Sequence, residues 1–591
     1  MHRFLDLDPK GPSLKELTDA AREWIAGDPD EASAAQLEEM IDAGDAESLK
    51  LAMGGRLEFG TAGIRGRVGP GSNQMNRAVV IKTTRGLAEF LLERHEGPPG
   101  SPVIVGFDAR PTSRLFAEDA VGVLCAAGIR TVFFPEYVPT PLVAFAARTM
   151  GAAAAVVVTA SHNPPADNGY KVYDANAAQI IPPVDSEISH KIEAVGRANE
   201  VPRVEDAFNA GSELARPIQP TIADAYWHDI DSYRPQRPAG SLRIAYTPLH
   251  GVGGATVADV FSRTTHRDFH RVEAQFSPDG RFPTVEFPNP EEPGALDMAM
   301  QLGGEIGAEL ILANDPDADR LAAAVPWRGG WRLFTGNELG ALLGSFVLDN
   351  WKGEAPPITA NSIVSSPMLS QLSSKAGGIH LTTLTGFKWI ANAALAAEAD
   401  GDGIFAFGYE EALGYSLGRS VRDKDGISAA LALSDLAAVE KENGRSLLDT
   451  LAALWRRTGI WVSTQKSLIR DGEAGTRQIL AAVDTLSREC PPTLGGLEVT
   501  EVTDYRQGAD ARPRWLGAQA LVEVGLGSAG RVLARPSGTE PKLKIYVDLR
   551  TDPGEDGDIH SERDRLLDQA RLVAEATAVS INMSGAGAGG A

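Results

Sequence analysis

The segment Thr159-Ala160-Ser161-His162-Asn163-Pro164 comes directly after the apolar run Ala152–Val158. A serine at a strand end can act as a nucleophile or carry a phosphoryl group. His162 beside it could orient the hydroxyl or shuttle protons, and Lys171 in NGYKVY could supply positive charge. Alone, the segment reads equally well as a Ser/Asn/Pro turn that caps the next stretch of chain. A second loop, Asp315-Pro316-Asp317-Ala318-Asp319-Arg320, also ends an apolar run, ELILAN. Three carboxylates at alternating positions can converge on one hard cation such as Mg²⁺, which takes oxygen ligands. An EF-hand does not fit, because Arg320 and Pro326 stand where that loop needs Gly and Glu.

Three further loops supply complementary chemistry. In Gly408-Tyr409-Glu410-Glu411-Ala412-Leu413-Gly414 the carboxylates of Glu410 and Glu411 could accept hydrogen bonds from vicinal sugar hydroxyls. The nearby Arg422-Asp423-Lys424-Asp425-Gly426 adds two cations and a turn. In Arg535-Pro536-Ser537-Gly538-Thr539-Glu540-Pro541-Lys542, hydroxyls, a glycine that lets backbone N–H groups approach, and a guanidinium suit a phosphate. The fifth loop, Phe59–Gly66, is glycine-rich and aims Arg65 at an anion; the GPGSNQMN after it reads as a mobile entry loop. Each of these would pass singly as a turn. Together they provide a serine, a cation site, a hydroxyl reader, a phosphate cradle and extra cations.

The elements that must position these loops show in the rhythm of the chain. Apolar runs at Val103–Phe107, Thr131–Phe134, Ala154–Val158, Arg243–Tyr246 and Leu310–Ala313 end in polar turns and lead into amphipathic stretches. This alternation predicts an α/β fold built from βαβ units, and in such sheets ligands bind beyond the carboxyl ends of the strands. The 591 residues suffice for roughly four domains. Breaks in the rhythm place an N-terminal helical extension at 1–55, then domains at 56–222, 223–350, 351–472 and 473–583, and a disordered tail at 584–591. The serine, the acidic loop, the Glu410 loop and the Arg535 loop fall in successive domains, the last of α+β type. A net charge of −23 disfavours nucleic acid and anionic membranes as partners. It also requires any anion site to gather its own cations. Two distant cysteines, Cys125 and Cys490, exclude a disulfide framework and point to a reducing, cytoplasmic setting. No apolar run reaches membrane-spanning length.

TASHNP, DPDADR, GYEEALG and RPSGTEPK, in this order, resemble the α-D-phosphohexomutase superfamily of phosphoglucomutases and phosphomannomutases, over roughly Leu57 to Asp548. The resemblance implies four domains around a central cleft, the first three with mixed α/β sheets flanked by helices. It implies that Ser161 is the phosphoserine and that Asp315, Asp317 and Asp319 hold one Mg²⁺ together with the serine phosphate. Arg320 would lie beside that phosphate, with Arg65, His162 and Lys171 as candidates for proton transfer or charge stabilisation. Glu410 falls where the family reads the sugar, and Arg535, Ser537, Gly538 and Thr539 fall in its phosphate loop. FGTAGIRG, TGFKWI and GYEEALGY are most similar to the phosphoglucomutase-2 and phosphopentomutase branch, which adds Thr385, Gly386, Lys388, Glu411 and Lys424 to the substrate set. The activity implied is interconversion of a hexose 1-phosphate and 6-phosphate, glucose first and mannose next, through a bisphosphate that also serves as activator. A phosphopentomutase is the alternative, since Ala412 replaces a serine of the other branch. A magnesium phosphatase and a non-catalytic phosphosugar-binding protein are the rivals outside the class. The expected partner is a small phosphosugar, bound by a monomer or homodimer.

Overall fold

The computed structural model describes residues 12–60, 63–209, 213–470, 472–537, 542–554 and 557–583. The tail at 584–591, read as disordered, lies outside them, as do Gly538 and Thr539.

The first strands are apolar on both faces because both faces are covered. Along Val103–Phe107, Ile104 packs into one core cluster while Val103, Val105 and Phe107 pack into another on the opposite side. This strand lies at the middle of a six-stranded sheet, parallel to Ala154–Val158 and Thr131–Phe133. Asp167–Tyr173 runs antiparallel beside Ala154–Val158 and pairs outward with Ile64–Arg67. A second sheet sets Ile244–Thr247 parallel to Leu310–Ala313 and closes on the hairpin Ala322–Trp327/Gly330–Leu333. In the third, Pro357–Ser362, Ile379–Thr383 and Ile404–Glu410 are parallel and Gly414–Leu417 turns back. The fourth is wholly antiparallel and carries the long helix Ile559–Ser580. One apolar cluster runs through all four sheets, from Ile104 to Met583.

Two elements depart from the expected boundaries. Helix Gly336–Asp349 packs on the third sheet, where Gly340 leaves room for the Tyr409 ring: a Cβ there would lie 2.5 Å from Tyr409 Cδ2. Strand Ile460–Ile469 pairs over its whole length with Lys542–Thr551 in the fourth sheet. The composition breaks near Trp351 and Ile469 are therefore turns inside units.

Among the described residues the N-terminal extension holds three helices, Leu14–Gly27, Glu31–Ala43 and Ala46–Met53. Ser13 and Glu16 form a capping box, and Asp30 and Asp45 cap the other two. The extension also corrects the reading of GPGSNQMN as mobile. Asn73 N–H donates to Ala52 O at 2.9 Å. The Asn76 amide donates to the carbonyls of Gly69, Gly71 and Gln74 at 3.0, 2.8 and 3.2 Å. The loop is tied down because asparagine supplies the donors that its own backbone turn needs.

Candidate active site

Ser161 stands one turn beyond strand Ala154–Val158 in a left-handed conformation, φ 51°, which costs a non-glycine residue on the order of 1 kcal/mol. A buried network holds it there. Ser161 N–H donates to Thr159 Oγ1 at 2.9 Å, and that hydroxyl donates to Asp108 Oδ2 at 2.7 Å. Arg110 donates to the carbonyls of Ser161, Asn163, Pro164 and Asp167 at 2.8, 2.6, 2.6 and 2.8 Å. Asp108 completes the set, 3.3 Å from Arg110 Nε. Asp108 and Arg110 were missed in the sequence, although Asp-x-Arg after Val103–Phe107 is the same signal, polar residues at a strand's carboxyl end.

The serine hydroxyl faces the acidic loop. Ser161 Oγ donates to Asp315 Oδ2 at 2.8 Å and lies 3.1 Å from His162 Nδ1. Asp315, Asp317 and Asp319 are 0%, 0% and 1% exposed, with ligand oxygens all within 4.8 Å of one another. Lys171 Nζ donates to Asp317 Oδ2 at 2.8 Å and Asp319 Oδ2 at 3.1 Å. Lys424 Nζ is 3.2 Å from Asp319 Oδ2, and Thr140 Oγ1 donates to Asp317 Oδ2 at 2.8 Å. Even so, Asp317 Oδ1 and Asp319 Oδ1 are buried without a hydrogen-bond partner. Buried carboxylate oxygens left unpaired are costly, and an all-oxygen donor set suits a hard divalent cation. The three residues therefore fit a metal ion. The electrostatics agree: burial, then Asp317 and Asp319, push the Asp315 carboxyl well above the usual range. Burial also opposes ionisation of Asp317, but Lys171 outweighs it and holds that carboxyl low.

The remaining cations ring this centre. Arg65, on a strand paired with Asp167–Tyr173, donates to Asn163 Oδ1 at 3.1 Å. The Arg320 backbone N–H donates to Asp315 Oδ1 at 3.0 Å, and its guanidinium lies 3.9 Å from Asp319 Oδ1. Burial, then Arg320 and Arg65, push His162 well below its ordinary value, so its imidazole is neutral. Burial disfavours the Lys171 ammonium too, but Asp317 and Asp319 more than compensate, and it stays charged.

A second group gathers at the end of the third sheet. Glu410 ends strand Ile404–Glu410, and its Oε1 accepts from Gly386 N–H at 2.6 Å. Gly386 takes φ 111° at the start of helix Phe387–Ala399, a conformation that favours glycine. Arg535 Nη1 donates to Thr385 Oγ1 at 2.7 Å, and Ser537 N–H to Lys542 O at 2.8 Å. Thr385 and Gly386, adjacent in the chain, thus bring two hydrogen-bonded pairs side by side, Gly386–Glu410 and Thr385–Arg535. Lys388 lies where Glu410 acts on its charge; burial pushes it down to about 8, against the opposing pull of Glu410. Glu411 is turned elsewhere. Its Oε2 accepts from Ser362 Oγ at 3.0 Å and Ser365 Oγ at 3.2 Å, which makes it an anchor for that serine loop. Lys544, also missed in the sequence, pairs across the strands with Arg535. Among the described residues its ammonium has no hydrogen-bond or ion-pair partner, and burial lowers its pKa. The alternation in KLK, which puts Lys542 and Lys544 on one sheet face, was the signal available.

A strand-end serine facing a trio of buried carboxylates that fit a divalent cation, ringed by lysines and arginines, suits phosphoryl transfer. The chain belongs to the phosphoglucomutase/phosphomannomutase family. Residues 56–198, 224–327 and 335–458 match that family's alpha/beta/alpha domains I, II and III, and 498–563 its C-terminal domain. It is 38% identical to the "Probable phosphoribomutase" of Schizosaccharomyces pombe, over 91% of this chain and 94% of that one. It is 37% identical to the "Probable phosphomannomutase" of Haemophilus influenzae, over 82% and 95%. The crystal structure of pp63/parafusin from Paramecium superposes with TM-score 0.67 at 17% identity, over 89% of this chain and 96% of that one. The protein is a mutase, an isomerase of the phosphotransferase kind, with the fold expected for its superfamily. No described helix is long and apolar enough to cross a membrane.

Proposed function

We propose that this mutase moves a phosphoryl group between the anomeric and terminal oxygens of a sugar phosphate and carries it on Ser161. The observation that carries the reading is the 2.8 Å contact of Ser161 Oγ with Asp315, beside two buried carboxylate oxygens without hydrogen-bond partners. Phospho-Ser161 gives its group to the free hydroxyl of a monophosphate. The resulting bisphosphate turns over in the cleft and returns its other phosphate to Ser161. His162, neutral and 3.1 Å from the serine, relays the proton of the attacking hydroxyl to Ser161 Oγ as the phosphorus–oxygen bond to the serine breaks. Lys171, Arg65 and Arg320 stabilise charge on the transferring group. Glu410 reads sugar hydroxyls, while Arg535 and Lys544 hold the phosphate that is not reacting. Asp315, Asp317 and Asp319 hold Mg²⁺, which when bound neutralises phosphoserine charge. The setting is the reducing cytoplasm, in keeping with a chain of only two, widely separated cysteines.

The hexose reading takes glucose 1-phosphate first and mannose 1-phosphate next. Two observations favour a second, pentose reading: Ala412 lacks the hydroxyl of the hexose branch, and one relative is named a phosphoribomutase. Assay of glucose, mannose, ribose and deoxyribose 1-phosphates, each primed with its bisphosphate, separates the two. A kcat/KM for glucose 1-phosphate above that for ribose 1-phosphate supports the hexose reading, and the reverse order assigns pentose. Chelation with EDTA should abolish turnover on all four and added Mg²⁺ should restore it; turnover that persists in EDTA contradicts the metal role.

Lys388 gives the account a pH dependence. Its ammonium is present below about 8 and lost above it, whereas a phosphate monoester is fully dianionic only above about 6. Binding should therefore be strongest between these limits. The kcat/KM profile should fall above pH 8, and Lys388→Arg should remove that limb, because arginine stays charged. A limb unchanged in the variant would assign it to another group.

A further inference from the structure

The strand Gly530–Pro536 in the fourth sheet carries more than Arg535. Arg531, Leu533 and Arg535 alternate along it and so share one face. Cross-strand register sets them opposite Asp548, Tyr546 and Lys544. That face meets the third domain at three points. Arg535 reaches Thr385. Leu533 and Tyr546 pack with Ile363 and Val364 in a small apolar cluster. Arg531 forks across the turn beyond strand Pro357–Ser362: its Nη2 donates to Ile363 O and Ser365 O, both at 2.8 Å. The guanidinium is aimed by carboxylates of its own sheet, with Asp548 Oδ2 3.0 Å from Nε and Glu523 Oε1 3.3 Å from Nη1. Ser365, buried at 1% exposure, passes the grip on. Its Oγ accepts from the Glu411 N–H at 3.0 Å and donates to Glu411 Oε2 at 3.2 Å. One peptide bond further back stands Glu410, the carboxylate that meets Gly386. Simple docking of the two domains is already served by the apolar cluster and by the Leu384 N–H, which donates to Trp515 O at 2.8 Å. The arginine fork is confined to the one turn that anchors Glu411.

We propose that Arg531 is a positioning residue: by fixing the 362–366 turn it holds Glu411, and through it sets the place of Glu410 relative to the phosphate cradle at Arg535. Both arginines sit on one strand, so the sugar reader and the cradle are placed from a single element. The inference rests on the reading of Glu410 as the residue that meets sugar hydroxyls.

The test measures Arg531→Lys, Ser365→Ala, the double variant and Glu410→Gln in kinetics on the best 1-phosphate from the panel, with a crystal structure of Arg531→Lys. Lysine keeps a cation beside Asp548, which limits the loss of stability, but cannot fork across two carbonyls. In Arg531→Lys the contact of Ser365 Oγ with the Glu411 N–H should lengthen beyond hydrogen-bond distance. KM should rise by about tenfold, the scale of one hydrogen bond to a charged group, with kcat within about threefold because the Ser161 centre is untouched. Ser365→Ala should raise KM to a similar degree while the Arg531 bonds to the backbone stay in place. The double variant should be no worse than the worse single one, since the two residues act in one chain of contacts, whereas independent losses of stability would multiply. A KM within about twofold of wild type in Arg531→Lys, multiplying effects in the double variant, or an intact Ser365–Glu411 bond in the crystal overturns the proposal. Should Arg531→Lys fail to fold, Ser365→Ala decides, and a wild-type KM there overturns it as well. Glu410→Gln with a wild-type KM would overturn the reading of Glu410 instead, and the Ser365–Glu411 bond in Arg531→Lys would still decide the positioning.

Discussion

Ser161→Ala is expected to lower turnover by at least about a thousandfold, the scale on which loss of an essential nucleophile acts, while leaving the fold in place. In the proposed mechanism the chemistry runs through Oγ alone: no other described hydroxyl shares its contact with Asp315 and His162. The structural cost is small. Alanine in the left-handed conformation and loss of one hydrogen bond together amount to about 1–2 kcal/mol. The bonds of the Ser161 backbone, its carbonyl accepting from Arg110 and its N–H donating to Thr159 Oγ1, do not involve the serine side chain and remain. Circular dichroism should match wild type, and the affinity for sugar monophosphate should stay within a few-fold because Glu410, Arg535 and Lys388 are untouched. Turnover near the wild-type rate would remove the serine from the mechanism.

Arg110→Met should both destabilise the first domain and silence the enzyme. Arginine at 110 is 2% exposed and satisfies four loop carbonyls. Methionine fills much of the volume but donates nothing, so those carbonyls and the Asp108 carboxylate lose a buried cationic partner. Removing one member of a buried ion pair costs about 3–5 kcal/mol. The Ser161 elbow then loses what holds its strained backbone, and kcat should fall by about a hundredfold or more. Arg110→Lys should recover stability in part and activity little, since an ammonium cannot fork across four oxygens. Denaturant unfolding, tracked together with kcat, reads both effects. A variant that unfolds like wild type and turns over normally would mean that the elbow stands without Arg110. The guanidinium also lies 5.2 Å from the Phe282 ring of the second domain, so the early transition should involve that interface too.

The parts of this site legible in the sequence are those in which chemistry is local. Ser161 and the three aspartates each occupy one short loop directly after an apolar run, and a strand buried on both faces announces itself as such a run. What escaped is chemistry made by distant partners. Arg110 serves carbonyls more than fifty positions later in the chain. Arg531 meets Ser365 across 166 positions. Lys544 acquires its place only from the register that sets it opposite Arg535. Glu411 illustrates the converse. Two adjacent glutamates look alike in sequence, but Glu410 ends the strand and meets Gly386, whereas Glu411 begins the turn beyond it and meets Ser362 and Ser365. The domain edges slipped for a related reason: helix Gly336–Asp349 and strand Ile460–Ile469 are assigned by what they pack against, and composition does not record that.

The most direct test of the account is the phosphorylation state of Ser161 itself. Wild-type protein primed with sugar bisphosphate should carry one phosphate, localised by peptide mass analysis to the tryptic fragment containing Ser161. A brief incubation with excess sugar monophosphate should remove it and yield bisphosphate in equal amount. A phosphate on another residue, or loss of the Ser161 phosphate as free phosphate with no bisphosphate formed, would contradict transfer through this serine.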